Sequence, residues 1–291
     1  MRRTPIMLLG CTSDAGKSFL ATALCRHLAN RGVRVAPFKA QNMSNNAAVT
    51  PGGGEIGRAQ HLQALAARVV PGVRMALALL LYPWASNLDE FDPLFHEENV
   101  NVVPIQRATP LDDFHAILLP GSKSTVQSFA HLRTSGLADE VVRAARRGAP
   151  VLGVCGGLQM LGKRIHDPDR IEGGDADGLG LLDVVTTLER LKTTRWTEVA
   201  WRDGVTLHGY EIHHGVTEPG PDAEQTLDGG LGFAQGNVHG VYLHGLFASS
   251  AFRQAFLADL GWRGRAHDWA ARIDAEIERV ARLVPESGWE P

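Results

Sequence analysis

Cysteine is scarce in this chain: three in 291 residues, at positions 11, 25 and 155. None stands at metal-ligand spacing, and they build no disulfide framework, which points to a reducing, cytoplasmic setting. No charge of one sign dominates. The net charge is −3, so composition favours neither nucleic acid nor an anionic membrane as partner. Long apolar runs are absent as well. The longest, Met75 to Tyr82, is far too short to span a bilayer. Arg2 and Arg3 precede an apolar run, but no small-residue cleavage pattern follows, so no signal peptide is expected. Internal repeats, low-complexity tracts and heptad arrays are missing. The twelve histidines are dispersed, and the adjacent His213 and His214 read as loop residues rather than metal ligands. What is left, 44% hydrophobic and 21% charged residues, is the composition of a soluble globular protein of one large domain or two ordinary ones.

Against this background Cys155 stands out. Residues 150–159 read Pro-Val-Leu-Gly-Val-Cys-Gly-Gly-Leu-Gln, an apolar strand that ends at a thiol, turns sharply and enters a helix. The helix N-terminus favours the thiolate, and Gly156 and Gly157 carry no β-carbon to keep a backbone N–H from an oxyanion. Taken on position alone, a buried structural cysteine is an equally good reading. Two other segments tip the balance. Residues 115–125 form a strand that breaks at Pro120-Gly121, where a second oxyanion donor could lie. Residues 238–247 form a strand that delivers His244 into a glycine-flanked turn. Nucleophile, base and oxyanion turn, each at a strand end, make an acyl-transfer constellation.

A second motif lies near the start. An apolar strand over 4–10 leads through Cys11-Thr-Ser-Asp-Ala15 to Gly16-Lys17-Ser18 and a helix bearing Phe19, Leu20, Ala23, Leu24 and Leu28 as an apolar stripe. Such a loop cradles phosphate with its N–H groups, Lys17 adds positive charge, and the Ser18 hydroxyl can reach Mg²⁺. Five residues separate Gly10 from Gly16, one more than the usual gap. A second strand over 33–38 runs into Lys39-Ala-Gln-Asn-Met-Ser-Asn-Asn46.

Together these segments resemble the cobyrinate amidases, and within them the cobyric acid synthase branch. These enzymes join an ATP-binding domain similar to dethiobiotin synthetase to a class I glutamine amidotransferase domain. The resemblance implies an α/β fold: a truncated P-loop segment over 1–75, then a class I glutaminase domain over 76–291 with a parallel-rich sheet, flanking helices and a helical tail. It implies Cys155 as nucleophile, His244 as base and Gly121 and Gly156 at the oxyanion hole. Class I enzymes carry a glutamate two residues after the histidine, where this chain has Leu246. Glu211, in Gly-Tyr-Glu-Ile-His-His-Gly, is the nearest candidate for a third triad member and equally for a structural or glutamine-binding carboxylate. Gly10, Gly16, Lys17 and Ser18 would bind ATP, Ser18 with Mg²⁺, and Lys39, Gln41 and Asn42 would face nucleotide or substrate. The implied reaction is ATP-dependent amidation of the b, d, e and g carboxylates of adenosylcobyrinic acid a,c-diamide, with ammonia drawn from glutamine. A homo-oligomer fits too.

The chain departs from that family abruptly after Val73-Arg-Met75, where a large part of the ATP-binding domain is missing. A P-loop enzyme needs a second buried strand ending in an acidic residue, and no apolar run between residues 19 and 74 ends that way. Two parallel strands also cannot cover both faces of a sheet, so docking, oligomerisation or poor order of this segment is expected. Beyond it, strands are predicted at 75–82, 101–105, 115–119 and 150–154. Helices are predicted near 122–133, 136–147 and 156–166, a β-rich stretch over 180–217, and helices from Ser250 with Trp269, Ile273, Ile277 and Val280 on one face. Three other readings compete: a stand-alone glutaminase subunit of another ligase, an inactive truncated relative, and a nucleotide-dependent switch. The partition-type switches have an early second lysine, and none lies between Gly10 and Gly16.

Overall fold

In the computed structural model the described residues are 6–9, 16–33, 35–37, 47–50, 55–69 and 75–282. The chain divides into two compact units, Met1–Arg74 and Met75–Pro291.

In the first unit, α1 (Lys17–Asn30) begins directly after Gly16, whose φ of 76° is the left-handed turn that glycine tolerates. A short antiparallel pair follows, β1 (Ala47–Val49) with β2 (Glu55–Gly57), and then α2 (Arg58–Ala66). The two helices hold each other: Arg26 donates to the Leu65 carbonyl at 2.9 Å, and Gln63 Nε2 to the Ser18 carbonyl at 3.3 Å. Cys25, Ala66 and Ala67 form a small buried cluster with Val35 against it. The predicted parallel strands are not found among the described residues. Residues 6–9, 33 and 35–37 carry no ladder. On the apolar stripe of α1, Phe19 is 81% exposed. A parallel strand forms only where a neighbouring strand bonds it, and residues 6–9, 33 and 35–37 have none among the described residues.

The second unit is built on a seven-stranded sheet. Its elements begin with β3 (Met75–Leu80), β4 (Ala85–Ser86), α3 (Asp92–Phe95), β5 (Val100–Ile105), β6 (Ala116–Leu119) and β7 (Gly121–Ser122). There follow α4 (Thr125–Thr134), α5 (Leu137–Arg146), β8 (Val151–Val154), α6 (Gly156–Leu161), β9 (Arg164–His166) and β10 (Ala176–Asp177). The long strands β11 (Val184–Ala200) and β12 (Thr206–Pro219) come next, then β13 (Glu224–Leu227), β14 (Gly232–Gln235), β15 (Val238–Val241), α7 (Ser250–Asp259) and α8 (Trp269–Ala281). The main sheet runs β13-β14-β15-β8-β6-β3-β5, with the five strands from β15 to β5 parallel and β13 and β14 antiparallel at one edge. The central strands β6 and β8 are buried at every position, as parallel strands covered on both faces must be. Each leucine buried there contributes about 1.5–3 kcal/mol.

A second sheet, β10-β9-β11-β12, is dominated by the β11/β12 hairpin. Residues 180–217 are thus β-rich as expected, but His213 and His214 lie within β12 rather than in a loop. The helix predicted over 156–166 stops at Leu161. Gly162 is extended there and passes close against Val184, where a β-carbon would sit 2.9 Å from the carbonyl oxygen, and the chain turns into β9. Helix α8 forms, yet none of its residues is buried, so its apolar face contributes nothing to the core. No described helix is long and apolar enough to cross a membrane.

Candidate active site

Helix α6 lies unusually close to the sheet, and this places Cys155. A β-carbon on Gly153 would stand 2.5 Å from the Gly157 carbonyl carbon, and one on Gly157 only 2.2 Å from the Leu119 carbonyl oxygen. Gly157 is thus required for helix-to-strand contact rather than for access to an oxyanion. The turn between β8 and α6 is tight enough to hold Cys155 at φ 53° and ψ −109°, a conformation that costs a non-glycine residue about 1–3 kcal/mol. Its N–H donates to the Val241 carbonyl of the neighbouring strand at 2.7 Å. The thiol is buried, with Sγ 3.6 Å from the Ile212 carbonyl oxygen.

His244 follows β15, which runs beside β8, so the two strand ends deliver thiol and imidazole to one place. Two backbone hydrogen bonds with Tyr210 of β12 fix its main chain, at 2.9 and 3.3 Å. The turn beyond it is braced by fully buried Arg253, which donates to the Phe247 carbonyl and pairs with Glu97 at 2.5 Å. The imidazole Nδ1 is 3.1 Å from Glu90 Oε2, and Glu90 also accepts from the Gly245 N–H at 3.4 Å. Nε2 is buried without a conventional hydrogen-bond partner among the described residues. Burial acts to lower the pKa of His244, but Cys155 and Glu90 outweigh it and push it up to about 10. Burial likewise raises Glu90, and here it prevails over the opposing pull of His244.

The oxyanion side is assembled from β7 and the start of α6. A β-carbon on Gly121 would be 3.4 Å from His244 Cε1 and 3.7 Å from Cys155 Cβ, and one on Gly156 would be 2.9 Å from the Ser122 nitrogen. Gly121 thus lies beside Cys155 and His244, and Gly156 packs against the Gly121-Ser122 turn. The turn is held by Tyr82, which donates to the Pro120 carbonyl, and by β4, paired antiparallel with β7. Tyr82 is raised well above the usual tyrosine range by burial, with the charges of Cys155 and Glu90 adding to it. Buried Gln159 on α6 ties the elbow to its surroundings: it accepts from Thr125 Oγ1 at 3.0 Å and donates to the His214 carbonyl and the Tyr242 hydroxyl.

Cys155, His244, Gly121 and Gly156 are therefore brought together. Glu211 is not the carboxylate on His244. It accepts instead from Arg195 Nε at 2.6 Å and Thr197 Oγ1 at 2.6 Å, with His213 Nε2 at 3.4 Å. These partners hold it below the usual glutamate range although burial acts to raise it. The cause is topological. Glu211 and its cross-strand partner Arg195 point to one side of the hairpin, whereas Tyr210 presents its ring to His244. Glu90 was missed because it comes from the other side of the sheet order, 154 positions away in sequence. Leu246 packs into the core. His213 stacks on Tyr242 with ring centroids 3.9 Å apart, and among the described residues no cluster of potential ligands could hold a metal ion. In the first unit Gly16, Lys17 and Ser18 open α1; Gly10, Lys39, Gln41 and Asn42 lie outside the described residues.

A parallel sheet with a cysteine elbow, an adjacent histidine and a glycine turn defines the class of glutamine amidotransferase domains. A crystal structure of a glutamine amidotransferase aligns over 65% of this chain and 98% of its own, with a TM-score of 0.53 at 18% identity. The structure of PurLQS from Thermotoga maritima aligns over 64% and 99%, at 0.51 and 18%. Residues 76–252 match the CobB/CobQ-like glutamine amidotransferase domain, and the chain belongs to that family. Its relatives include the cobyric acid synthase of Deinococcus radiodurans, 34% identical over 464 aligned positions covering 94% of this chain and 97% of the relative. That of Albidiferax ferrireducens is 30% identical over 481 positions covering 96% of each. The chain has 291 residues, so over a third of the 464 aligned positions of the first relative face a gap.

Proposed function

We propose that this chain hydrolyses glutamine at Cys155 to supply ammonia for amidation of a carboxylate. The observation that carries the reading is the Cys155 elbow beside a buried histidine whose Nδ1 is held by Glu90. Sγ, its proton passed to His244, attacks the side-chain amide carbon, and the oxyanion that forms is received by the N–H groups of Gly156 and the Gly121-Ser122 turn. His244 gives its proton to the departing nitrogen, ammonia leaves, and a thioester remains. Water, losing a proton to His244, then releases glutamate and restores Cys155. Glu90 orients the imidazole and stabilises its cationic form, the part a buried carboxylate plays in a triad.

The acceptor in this reading is the corrin carboxylate set of the cobyric acid synthases, supported by kinship to proteins of that name. That step takes ATP and Mg²⁺. The described residues fit only part of such a site: Gly16, Lys17 and Ser18 stand where a phosphate would meet a helix N-terminus. Bound there, ATP would supply the phosphoryl group that activates a carboxylate. The first 74 residues contain only two acidic side chains, Asp14 and Glu55, to serve a metal ion. We therefore expect the chain to retain glutaminase chemistry and to be impaired in ATP-dependent amidation.

The test is ammonia release from glutamine by the full chain. Cys155→Ala should abolish it, and His244→Ala should slow labelling by a glutamine-analogue electrophile about 10²–10⁴-fold. Normal hydrolysis by the alanine variant at Cys155 would overturn the assignment.

A further inference from the structure

We infer that Tyr210 is a positioning residue for His244. The inference deepens the glutaminase reading and rests on it for the role of the histidine. Glu90 holds the imidazole at one point, Nδ1, at 3.1 Å. A ring held at one edge can still rock about that contact and carry Nε2 away from the thiol. The Tyr210 ring blocks this motion. It lies over the imidazole with centroids 5.0 Å apart and planes 12° from parallel.

Tyr210 is itself held from three directions. Its main chain is bonded to that of His244 through both N–H···O contacts. Its hydroxyl accepts from Asn87 Nδ2 at 3.2 Å. Its ring meets that of Trp196, the cross-strand partner, in a T-shaped contact at 5.9 Å and 74°. Asn87 Nδ2 also lies 3.3 Å from His244 Nδ1. That nitrogen cannot both donate to Glu90 and accept from Asn87, so the Asn87 amide serves the tyrosine. Asn87 stands at φ 54°, the left-handed conformation that asparagine adopts more readily than most residues with a side chain. It caps the 3-10 turn Leu88–Phe91, and its carbonyl accepts from the Glu90 N–H at 3.2 Å. One short turn thus carries both the amide that holds Tyr210 and the carboxylate that holds His244.

The stack has an electrostatic side. An imidazolium against an aromatic face is attracted by the ring quadrupole, so Tyr210 favours the charged form of His244. The other groups bearing on His244 are Glu90 and Cys155, with Asp89 and Tyr82 beside those two. Removing the ring leaves all four in place.

The experiment follows the His244 imidazole Cε1–H signal by NMR through a pH titration of the full chain, assigned by its loss in His244→Ala. Glutamine kinetics are measured on the same proteins. Tyr210→Leu should lower the titration midpoint by about one pH unit. It should also reduce kcat about ten- to a hundredfold with KM changed less than about twofold. Tyr210→Phe keeps the stacked ring and should restore most of both. Should Tyr210→Leu fail to fold, Tyr210→Met fills similar volume without a ring and carries the same test. A midpoint and kcat in Tyr210→Leu or Tyr210→Met equal to those of the unmutated chain would overturn the inference. So would a Tyr210→Phe variant as damaged as the leucine one. The NMR reading needs no glutamine, so a chain that releases no ammonia would sink the glutaminase reading and leave this result separately readable.

Discussion

At the scale of single residues, the site turns on the buried pair His244 and Glu90. In the folded protein His244 keeps its proton up to about pH 10, whereas in an unfolded chain a histidine loses it near 6.5. Between those values the folded state binds more protons than the unfolded one. The stability contributed by this group is therefore complete below about pH 6.5 and is lost as pH rises toward 10. Glu90 raises His244, so Glu90→Gln should lower it and flatten this slope. Urea midpoints at pH 7 and pH 9.5 measure the difference; an equal loss in the two proteins would mean that Glu90 does not sustain the charged imidazole. Glutamine hydrolysis by Glu90→Gln should also fall, with its alkaline limb moved to lower pH. Glu211→Gln should leave that limb where it is, because Glu211 is engaged with Arg195 and Thr197.

At the scale of elements, the decisive contact is α6 on the sheet. Three glycines permit it: Gly153 beneath the helix, Gly157 against Leu119, and Gly240, where a β-carbon would meet Leu158 at 2.7 Å. Gly157→Ala would set a methyl carbon against a backbone carbonyl in the middle of the core, and backbone cannot swing aside as a side chain can. The helix must lift, which should cost about 1–3 kcal/mol and lower Tm by about 2–4 °C for each of those. The elbow lifts with it, so glutamine hydrolysis should fall more than the loss of folded protein accounts for. Thermal melts and kinetics at a temperature where the variant is fully folded separate the two effects. An unaltered Tm would show that α6 has slack that its spacing does not suggest.

At the scale of the whole molecule, every residue assigned to glutamine chemistry belongs to the unit Met75–Pro291. The fragment 75–291 should therefore hydrolyse glutamine at the rate of the full chain, within about threefold on the scale where misplacing a reacting group costs 10²-fold. Supplied with ATP, glutamine and adenosylcobyrinic acid a,c-diamide, the full chain should release ammonia but form cobyric acid far more slowly than a full-length relative; a matching rate would show that the residues facing the gap are dispensable. Much of this was legible in the linear order. The elbow, the histidine turn and the Pro-Gly turn are local strand-end patterns, and most parallel strands of the second unit are short apolar runs bounded by turn residues. In the first unit the helix α1 was legible from its periodicity, although Phe19 and Leu20 of its apolar stripe are exposed. Local pattern could not reveal the partner of His244. Glu90 and Glu211 are both acidic residues in plausible settings, and the choice between them depends on which strand lies beside which and on which face of a strand each residue occupies. The same holds for Tyr210 over the imidazole and for Gly157 under Leu119. Those are relations between segments far apart in the chain, created when the sheet closes and set by its order and register rather than by the residues on either side.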